Sequence, residues 1–233
     1  MITGIDIEKK LISYDFSEPI LNFYKGCFEH CFIVLHPFYK QIFRKDYNEL
    51  DNFKLTYPLI ERISWMEILN RTGIINKERL ALTITYPACE KKYQSLVDHE
   101  WNEFQPFLKD NNILEPFWTE DKIPEDIILP FLELLLKQGY NEIKVGHWFE
   151  FKNEKVEFAM LTDENKFDSA VKFARHNFIF TADNMYCLKL PYHDLPFTFL
   201  LTNGISATDV AKILTYEGFT ANDKTYVYWH LPQ

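Results

Sequence analysis

Two glutamates, Glu150 and Glu157, are the most informative pair of chemically active residues in this sequence. The residues around them alternate between apolar and polar, which is typical of the two strands of a β-hairpin. If Phe151 pairs with Val156, the apolar residues share one face, and the glutamates lie opposite each other on the other face with Trp148. Opposed carboxylates bind a cation or share a proton when buried, and are merely solvated when exposed. We expect the exposed arrangement and take Trp148, Glu150 and Glu157 as the candidate binding residues.

The same register predicts which side chains of the hairpin enter the core. It pairs Phe149 with Phe158 and His147 with Met160, all on the apolar face. His147 is then expected to be a hydrogen-bonded core histidine rather than a catalytic base, because buried polar groups nearly always have a partner.

A histidine beside an aspartate, His193-Asp194, lies in a predicted turn between Pro191 and Pro196. Such a histidine could act as a general base. The sequence offers no evident nucleophile for it, so a polar turn is the expected role. If the protein is an enzyme, the candidate catalytic residues are His193 and Asp194 together with Glu150 and Glu157.

Cys27, His30 and Cys31 are spaced as three ligands on one helical face would be. A zinc site needs a fourth ligand and polar surroundings. Both cysteines belong to an apolar stripe with Phe28 and Phe32, and free cysteine is among the most buried residue types. We therefore expect buried cysteines, no metal site and no cofactor.

Composition and charge narrow the class of protein. Of the 233 residues, 47% are hydrophobic and 25% are charged, as in an ordinary globular domain. The sequence has no phosphate-binding loop, dinucleotide fingerprint, Gly-x-Ser-x-Gly elbow or His-Glu-x-x-His motif. A net charge of −9, without a basic cluster, disfavours nucleic acid and anionic membranes as partners. A basic protein or a small molecule is the expected partner.

The first 140 residues are mainly helical in pattern. An apolar stripe predicts a helix from Ser17 to Leu35. Ser64 begins a Ser-x-x-Glu capping box, and Gly73 is expected to end that helix. Alternation over 79–86 predicts a strand, although Asn76 could also begin a helix there. A further helix is expected to end at Pro106, within the amphipathic stretch that follows residue 93.

The remaining residues alternate between strands and helices. Helices are predicted around 167–174 and after Ser206, with strands around 185–190, 197–202 and 224–230. This order predicts an α+β fold, in which a mainly helical region (1–140) packs with a largely antiparallel sheet region (141–233) that carries helices on one face. We expect the two regions to form one compact unit.

Glu217-Gly218-Phe219-Thr220, followed by Thr225 and Trp229, completes a pattern that begins with the Trp65…Gly73 helix. With this pattern the chain resembles an uncharacterised protein family of low-GC Gram-positive bacteria, a domain of unknown function. The resemblance implies a bacterial origin and carries no assigned activity or catalytic residue.

Two classes of function are consistent with these observations. The first is a non-catalytic binding or regulatory protein, such as an inhibitor of a basic partner, favoured by the acidity and by the 17% aromatic content. The second is a hydrolase or metal-dependent enzyme with a carboxylate and histidine site between the two regions. We favour the first class. A cytoplasmic location is expected, because the N-terminal residues lack the pattern of a signal peptide.

Overall fold

The computed structural model describes residues 4–12, 17–40, 61–88, 90–116, 122–146, 156–191 and 195–230. Eight α-helices are present in this part of the chain: α1 (Gly4–Ile12), α2 (Ile20–Phe23), α3 (Trp65–Thr72), α4 (Lys77–Ile84), α5 (Lys91–Asp110), α6 (Glu125–Lys137), α7 (Lys166–Ala174) and α8 (Ala207–Ile213). The strands are β1 (His30–Leu35), β2 (Phe38–Lys40), β3 (Arg62–Ile63), β4 (Ile113–Leu114), β5 (Glu142–Gly146), β6 (Glu157–Met160), β7 (Phe178–Thr181), β8 (Tyr186–Lys189), β9 (Phe197–Thr202) and β10 (Gly218–Thr220).

The strands form two sheets. The larger has seven strands in the order β10-β1-β9-β8-β7-β5-β6, and the smaller has three in the order β3-β2-β4. Each pair of neighbouring strands with a defined register in the described residues is antiparallel. The predicted α+β class with a largely antiparallel sheet is confirmed.

Contacts divide the chain into two compact units. Unit 1 consists of residues 1–34, 121–193 and 197–227, and unit 2 of residues 35–120, 194–196 and 228–233. The large sheet belongs mainly to unit 1, and α3, α4, α5 and the small sheet belong to unit 2. Each unit therefore combines residues from both sides of position 140, near which the sequence analysis placed the boundary between its two regions.

The central strands of unit 1 are buried on both faces. Every residue of β7, β8 and β9 is buried, and their sequences are mostly apolar instead of alternating between apolar and polar residues. One face carries Lys144 and Lys189, and α1 lies over it. Lys144 forms an ion pair with Glu8 at 2.9 Å, and the ammonium of Lys189 donates to the Leu11 carbonyl.

The helix predicted over residues 17–35 is wrong for most of its length. Only Ile20–Phe23 is helical, Gly26 adopts a left-handed φ of 79°, and His30–Leu35 is the strand β1. Five of the six β1 residues are buried. A short apolar run of this kind fits a buried strand and a helix equally well by its pattern, and pairing with β10 decides in favour of the strand.

The strand predicted over residues 79–86 is also wrong, because Lys77–Ile84 forms helix α4. The Asn76 side chain caps this helix by accepting a hydrogen bond from the Arg79 N–H at 2.8 Å. The hydroxyl of Thr83 donates to the Arg79 carbonyl one turn earlier, which satisfies a β-branched polar residue inside a helix. The helix start that the sequence analysis kept as the alternative is the correct one.

Three further differences from the predicted elements are found. Helix α5 continues through Pro106 to Asp110, with Phe104 and Leu108 buried on either side of the proline. The residues from Lys224 to His230 form turns and irregular structure instead of the predicted last strand. In the large sheet the edge position beside β1 is occupied by β10, which the sequence analysis did not predict as a strand.

The predicted helix caps are confirmed. Ser64 accepts a hydrogen bond from the Glu67 N–H at 3.0 Å, and Gly73 ends α3 with a left-handed φ of 72°. Ser206 accepts from the Asp209 N–H at 3.4 Å. Caps are read correctly from sequence because both partners lie within four residues of each other.

Candidate functional site

The hairpin of β5 and β6 exists, but its predicted register is wrong. Glu157 pairs with Val145 and Met160 pairs with Glu142, a shift of five residues from the predicted alignment. Because side chains alternate with period two, an odd shift inverts the faces. Phe158 and Met160, predicted to lie in the core, are 61% and 63% exposed.

The predicted site residues are not brought together by the described part of the chain. Glu157 is exposed on the edge strand β6. Trp148 and Glu150 lie in residues 147–155, and His193 and Asp194 lie in residues 192–194. Both ranges are outside the described residues. The roles of these four residues therefore stay predictions. The predicted register, which placed Glu150 opposite Glu157, is wrong, so it no longer supports a pair of facing carboxylates.

The predicted burial of the two N-terminal cysteines is confirmed. Cys27 and Cys31 are 3% and 1% exposed, and Cys187 is also buried. Burial raises the pKa of the Cys31 and Cys187 thiols, which keeps them protonated and unreactive. Cys27 lies in a turn and Cys31 in β1, so the helical spacing that suggested a metal site does not exist. Within the described ranges, no three histidine, cysteine or acidic residues form a metal-binding group.

A groove in unit 2 is the site where polar, charged and aromatic side chains converge. It has a volume of about 680 Å³ and lies between the α3–α4 turn and one face of α5. The volume falls in the usual range for small-molecule sites, roughly 300–1,000 Å³. Its lining combines charged, polar and apolar groups: Arg71, Thr72, Gly73, Ile74, Ile75, Arg79, His99, Glu100, Glu103, Phe104 and Phe107.

The α3–α4 turn is shaped by its end residues. Gly73, which ends α3, has a left-handed backbone that an L side chain rarely adopts. Three residues later Asn76 caps α4. The turn thereby places Arg71, in the last turn of α3, and Arg79, in the first turn of α4, at the same groove.

Arg71 is held by acceptors on its own helix and at the C-terminal end of α5. Arg71 donates to the side chain of Asn111 at 2.5 Å and pairs with Glu67 at 3.2 Å. Its guanidinium also lies 5.1 Å from the ring centre of Phe107, a cation–π distance.

Arg79 is held by a second set of partners, on α5. Its Nε donates to Glu100 at 2.7 Å, and its Nη2 donates to the same carboxylate oxygen and to the Leu96 carbonyl. Neither Arg79 Nη1 nor the second oxygen of Glu100 has a hydrogen-bond partner among the described residues. A fixed guanidinium with an open donor binds a planar acceptor at little entropic cost.

Asp98, His99 and Glu100 form a polar cluster of adjacent residues on α5. Adjacent side chains of a helix diverge, and each has a different partner: Asp98 accepts from the Tyr86 hydroxyl, His99 lies 3.7 Å from Glu103, and Glu100 binds Arg79. The His99 side chain is 80% exposed, whereas the Glu100 side chain is only 26% exposed and lines the groove.

Sequence reasoning missed this groove although α5 carries a signal for it. Glu100, Glu103, Phe104 and Phe107 follow the i, i+3, i+4, i+7 spacing of one helical face. The predicted stop at Pro106 removed Phe107 from that pattern. The arginines belong to two other helices, so no local spacing could have placed them at this face.

Comparison with known proteins bears on the family and not on the site. A family model described as a protein of unknown function, DUF2711, matches residues 17–231. The chain belongs to the DUF2711 family. The DUF2711 match includes most of each unit and every residue of the groove. No curated protein and no solved structure matches the chain. None of the helices in the described part of this DUF2711 protein combines the length and the apolar character of a membrane span.

Proposed function

We propose that the protein is a binding protein whose ligand is a small molecule held in the groove of unit 2. The observation that carries the proposal is the lining itself, in which the guanidiniums of Arg71 and Arg79 flank Phe104 and Phe107. Ligand sites typically combine an apolar wall with a few fixed polar groups. Both arginines are fixed by protein acceptors, so the site is formed before any ligand arrives.

The groove favours binding over catalysis by the character of its polar residues. The one hydroxyl in its lining, that of Thr72, donates to the Ile68 carbonyl of its own helix. His99 is largely exposed, so it is neither oriented nor desolvated as a catalytic base would be. The alternative function, an enzyme that uses His193 and the hairpin carboxylates, depends on His193 and Glu150, which lie outside the described ranges, and on Glu157, which is exposed.

The basic protein partner is a separate proposal that rests on the net charge of −9. The groove does not argue for it, because its open donor belongs to a cation, Arg79. We also propose a bacterial, cytoplasmic protein. The three cysteines in the described residues are free and buried, which suits a reducing compartment.

A fragment screen followed by isoleucine methyl NMR tests the binding proposal. Ile74 and Ile75 line the groove, and Ile75 is 83% exposed, so a bound compound should shift their δ1 methyl signals saturably. Replacing Glu103, a 71% exposed lining residue, by Trp should block the groove and abolish the shifts. Asn102→Trp is the matched control, because Asn102 is exposed on the same helix but does not line the groove.

Two results would overturn the proposal. One is a diverse library in which no compound shifts the Ile74 and Ile75 methyls. The other is a set of shifts that persist unchanged in Glu103→Trp, because binding would then lie elsewhere.

A further inference from the structure

The two arginines that line the groove differ in how far the protein itself satisfies them. Arg71 is bonded to Glu67 at 3.2 Å and to Asn111 at 2.5 Å, so its guanidinium already has protein partners. The ion pair of Arg79 and Glu100 is satisfied on one side only. Glu100 Oε1 accepts from Arg79 Nε at 2.7 Å and from Nη2 at 2.6 Å, whereas Arg79 Nη1 and Glu100 Oε2 have no hydrogen-bond partner in the described part of the chain.

The Arg79–Glu100 pair is also more enclosed than the other polar groups on this part of α5. The side chains of Arg79 and Glu100 are 31% and 26% exposed, whereas those of Glu103 and His99 are 71% and 80% exposed. Hydrogen bonds are stronger where solvent is partly excluded. A ligand in the groove therefore gains more from the free groups of Arg79 and Glu100 than from Glu103 or His99.

The two free groups of the pair have opposite hydrogen-bonding character, because Arg79 Nη1 is a donor and Glu100 Oε2 is an acceptor. A carboxylate ligand satisfies the donor but is repelled by Glu100. An ammonium satisfies the acceptor but is repelled by Arg79. An uncharged amide supplies a carbonyl oxygen and an N–H in one planar unit, so it satisfies both groups without adding a charge to a pair that is already neutral.

Apolar side chains complete the lining. Phe104 is 1% exposed, and its ring stacks on that of Phe107 with 6.4 Å between the ring centres. Phe107 is partly exposed, and Ile75, from the α3–α4 turn, is 83% exposed. An apolar part of the ligand that covers Ile75 and Phe107 removes apolar surface from water on both molecules, which stabilises the complex.

We propose that the ligand of the groove is an uncharged molecule that carries an amide group on an apolar body. The amide oxygen accepts from Arg79 Nη1, and the amide N–H donates to Glu100 Oε2. The apolar body contacts Ile75 and Phe107. This assignment rests on the proposed function, because it takes the groove to be a binding site and names the class of ligand.

The probes that test the assignment are four benzene derivatives: benzamide, benzoate, benzylammonium and N,N-dimethylbenzamide. Each is titrated into the protein, and its Kd is taken from the saturation of the Ile74 and Ile75 methyl shifts. Benzamide should bind most tightly of the four. N,N-dimethylbenzamide keeps the carbonyl but lacks the N–H, so it should bind about threefold to tenfold more weakly, as expected for one lost hydrogen bond. Benzoate and benzylammonium should also bind more weakly than benzamide, because each meets a like charge.

Two variants test the two hydrogen bonds separately. In Glu100→Gln the glutamine oxygen replaces Oε1 as the acceptor for Arg79, which leaves an N–H group in place of the free oxygen. Benzamide and N,N-dimethylbenzamide should then bind with equal Kd. Arg79→Gln should weaken both amides by about threefold or more. Lys109→Gln is the matched control and should change neither Kd, because Lys109 is exposed and does not line the groove. If Arg79→Gln does not fold, the Glu100→Gln result decides alone, since this change keeps the shape of the side chain.

The remaining outcomes separate this assignment from the proposed function. If benzoate or benzylammonium binds as tightly as benzamide, or if the advantage of benzamide persists in Glu100→Gln, the amide assignment fails while the binding function stands. If none of the four probes shifts the two methyl signals, the amide assignment is wrong. The fragment screen then decides by itself whether the groove binds anything.

Discussion

At the scale of single residues, Lys189 is a deeply buried charged residue of unit 1. Its side chain is 2% exposed, its ammonium donates to the Leu11 carbonyl, and the Phe178 ring lies 5.9 Å from its nitrogen. Lysine side chains bond the free carbonyls at helix C-termini, and Leu11 lies in the last turn of α1. The desolvation that accompanies this burial lowers the pKa of Lys189 to about 8.

The lowered pKa predicts a rise in stability at alkaline pH. The unfolded chain binds more protons at Lys189 than the folded chain between about pH 8 and pH 10.5, so the free energy of unfolding increases with pH in this window. Between pH 8 and pH 10 the increase should be about 2 kcal/mol. Urea denaturation of wild type and Lys189→Met measures it, and the variant should lack this increment. An equal pH dependence in both proteins would mean that Lys189 is not desolvated.

At the scale of elements, the β5–β6 hairpin decides which aromatic residues belong to the core. The structure pairs Lys144 with both Phe158 and Phe180 across its two neighbouring strands, and the Lys144 ammonium lies 5.3 Å from the Phe158 ring and 5.4 Å from the Phe180 ring. Phe180 is 1% exposed on the inner strand β7, whereas Phe158 is 61% exposed on the edge strand β6.

The register predicts a large difference between two identical substitutions. Phe180→Ala should lower the free energy of unfolding by about 3–5 kcal/mol, because it opens a cavity in a packed core. Phe158→Ala should lower it by about 1 kcal/mol or less, since the side chain is mostly in water already. Chemical denaturation of both variants measures the two losses. A loss near 3 kcal/mol for Phe158→Ala would support the register read from the sequence instead.

At the scale of the whole molecule, two deeply buried histidines make the stability of unit 2 dependent on pH. His36 and His230 belong to unit 2 and are 2% and 4% exposed. Burial lowers the pKa of His36 to about 3 and that of His230 to about 4, because the imidazolium cannot be solvated inside the protein. Both histidines are therefore neutral in the folded protein at neutral pH.

Acid is therefore expected to destabilise unit 2. The unfolded chain takes up protons at these histidines below about pH 6.5 while the folded chain does not, so stability falls as pH decreases toward the folded pKa values. From pH 7 to pH 5 each histidine should contribute a loss of about 2 kcal/mol. Urea unfolding followed by tryptophan fluorescence measures the loss. His36→Gln should remove about half of it, and an unchanged loss in this variant would contradict the burial of a neutral His36.

The sequence by itself determined the α+β class, the helix caps at Ser64 and Ser206, and the burial of Cys27 and Cys31. Each of these follows from partners a few residues apart or from the tendency of apolar residues to leave water. It did not determine whether residues 30–35 form a helix or a strand, because an apolar run buried on all sides has no period, and pairing with β10 decided it. The hairpin register was likewise decided by pairing of β5 with both β6 and β7. The groove was found only in the tertiary structure, because Arg71, Arg79 and Phe107 lie on three different helices that the packing of unit 2 brings together.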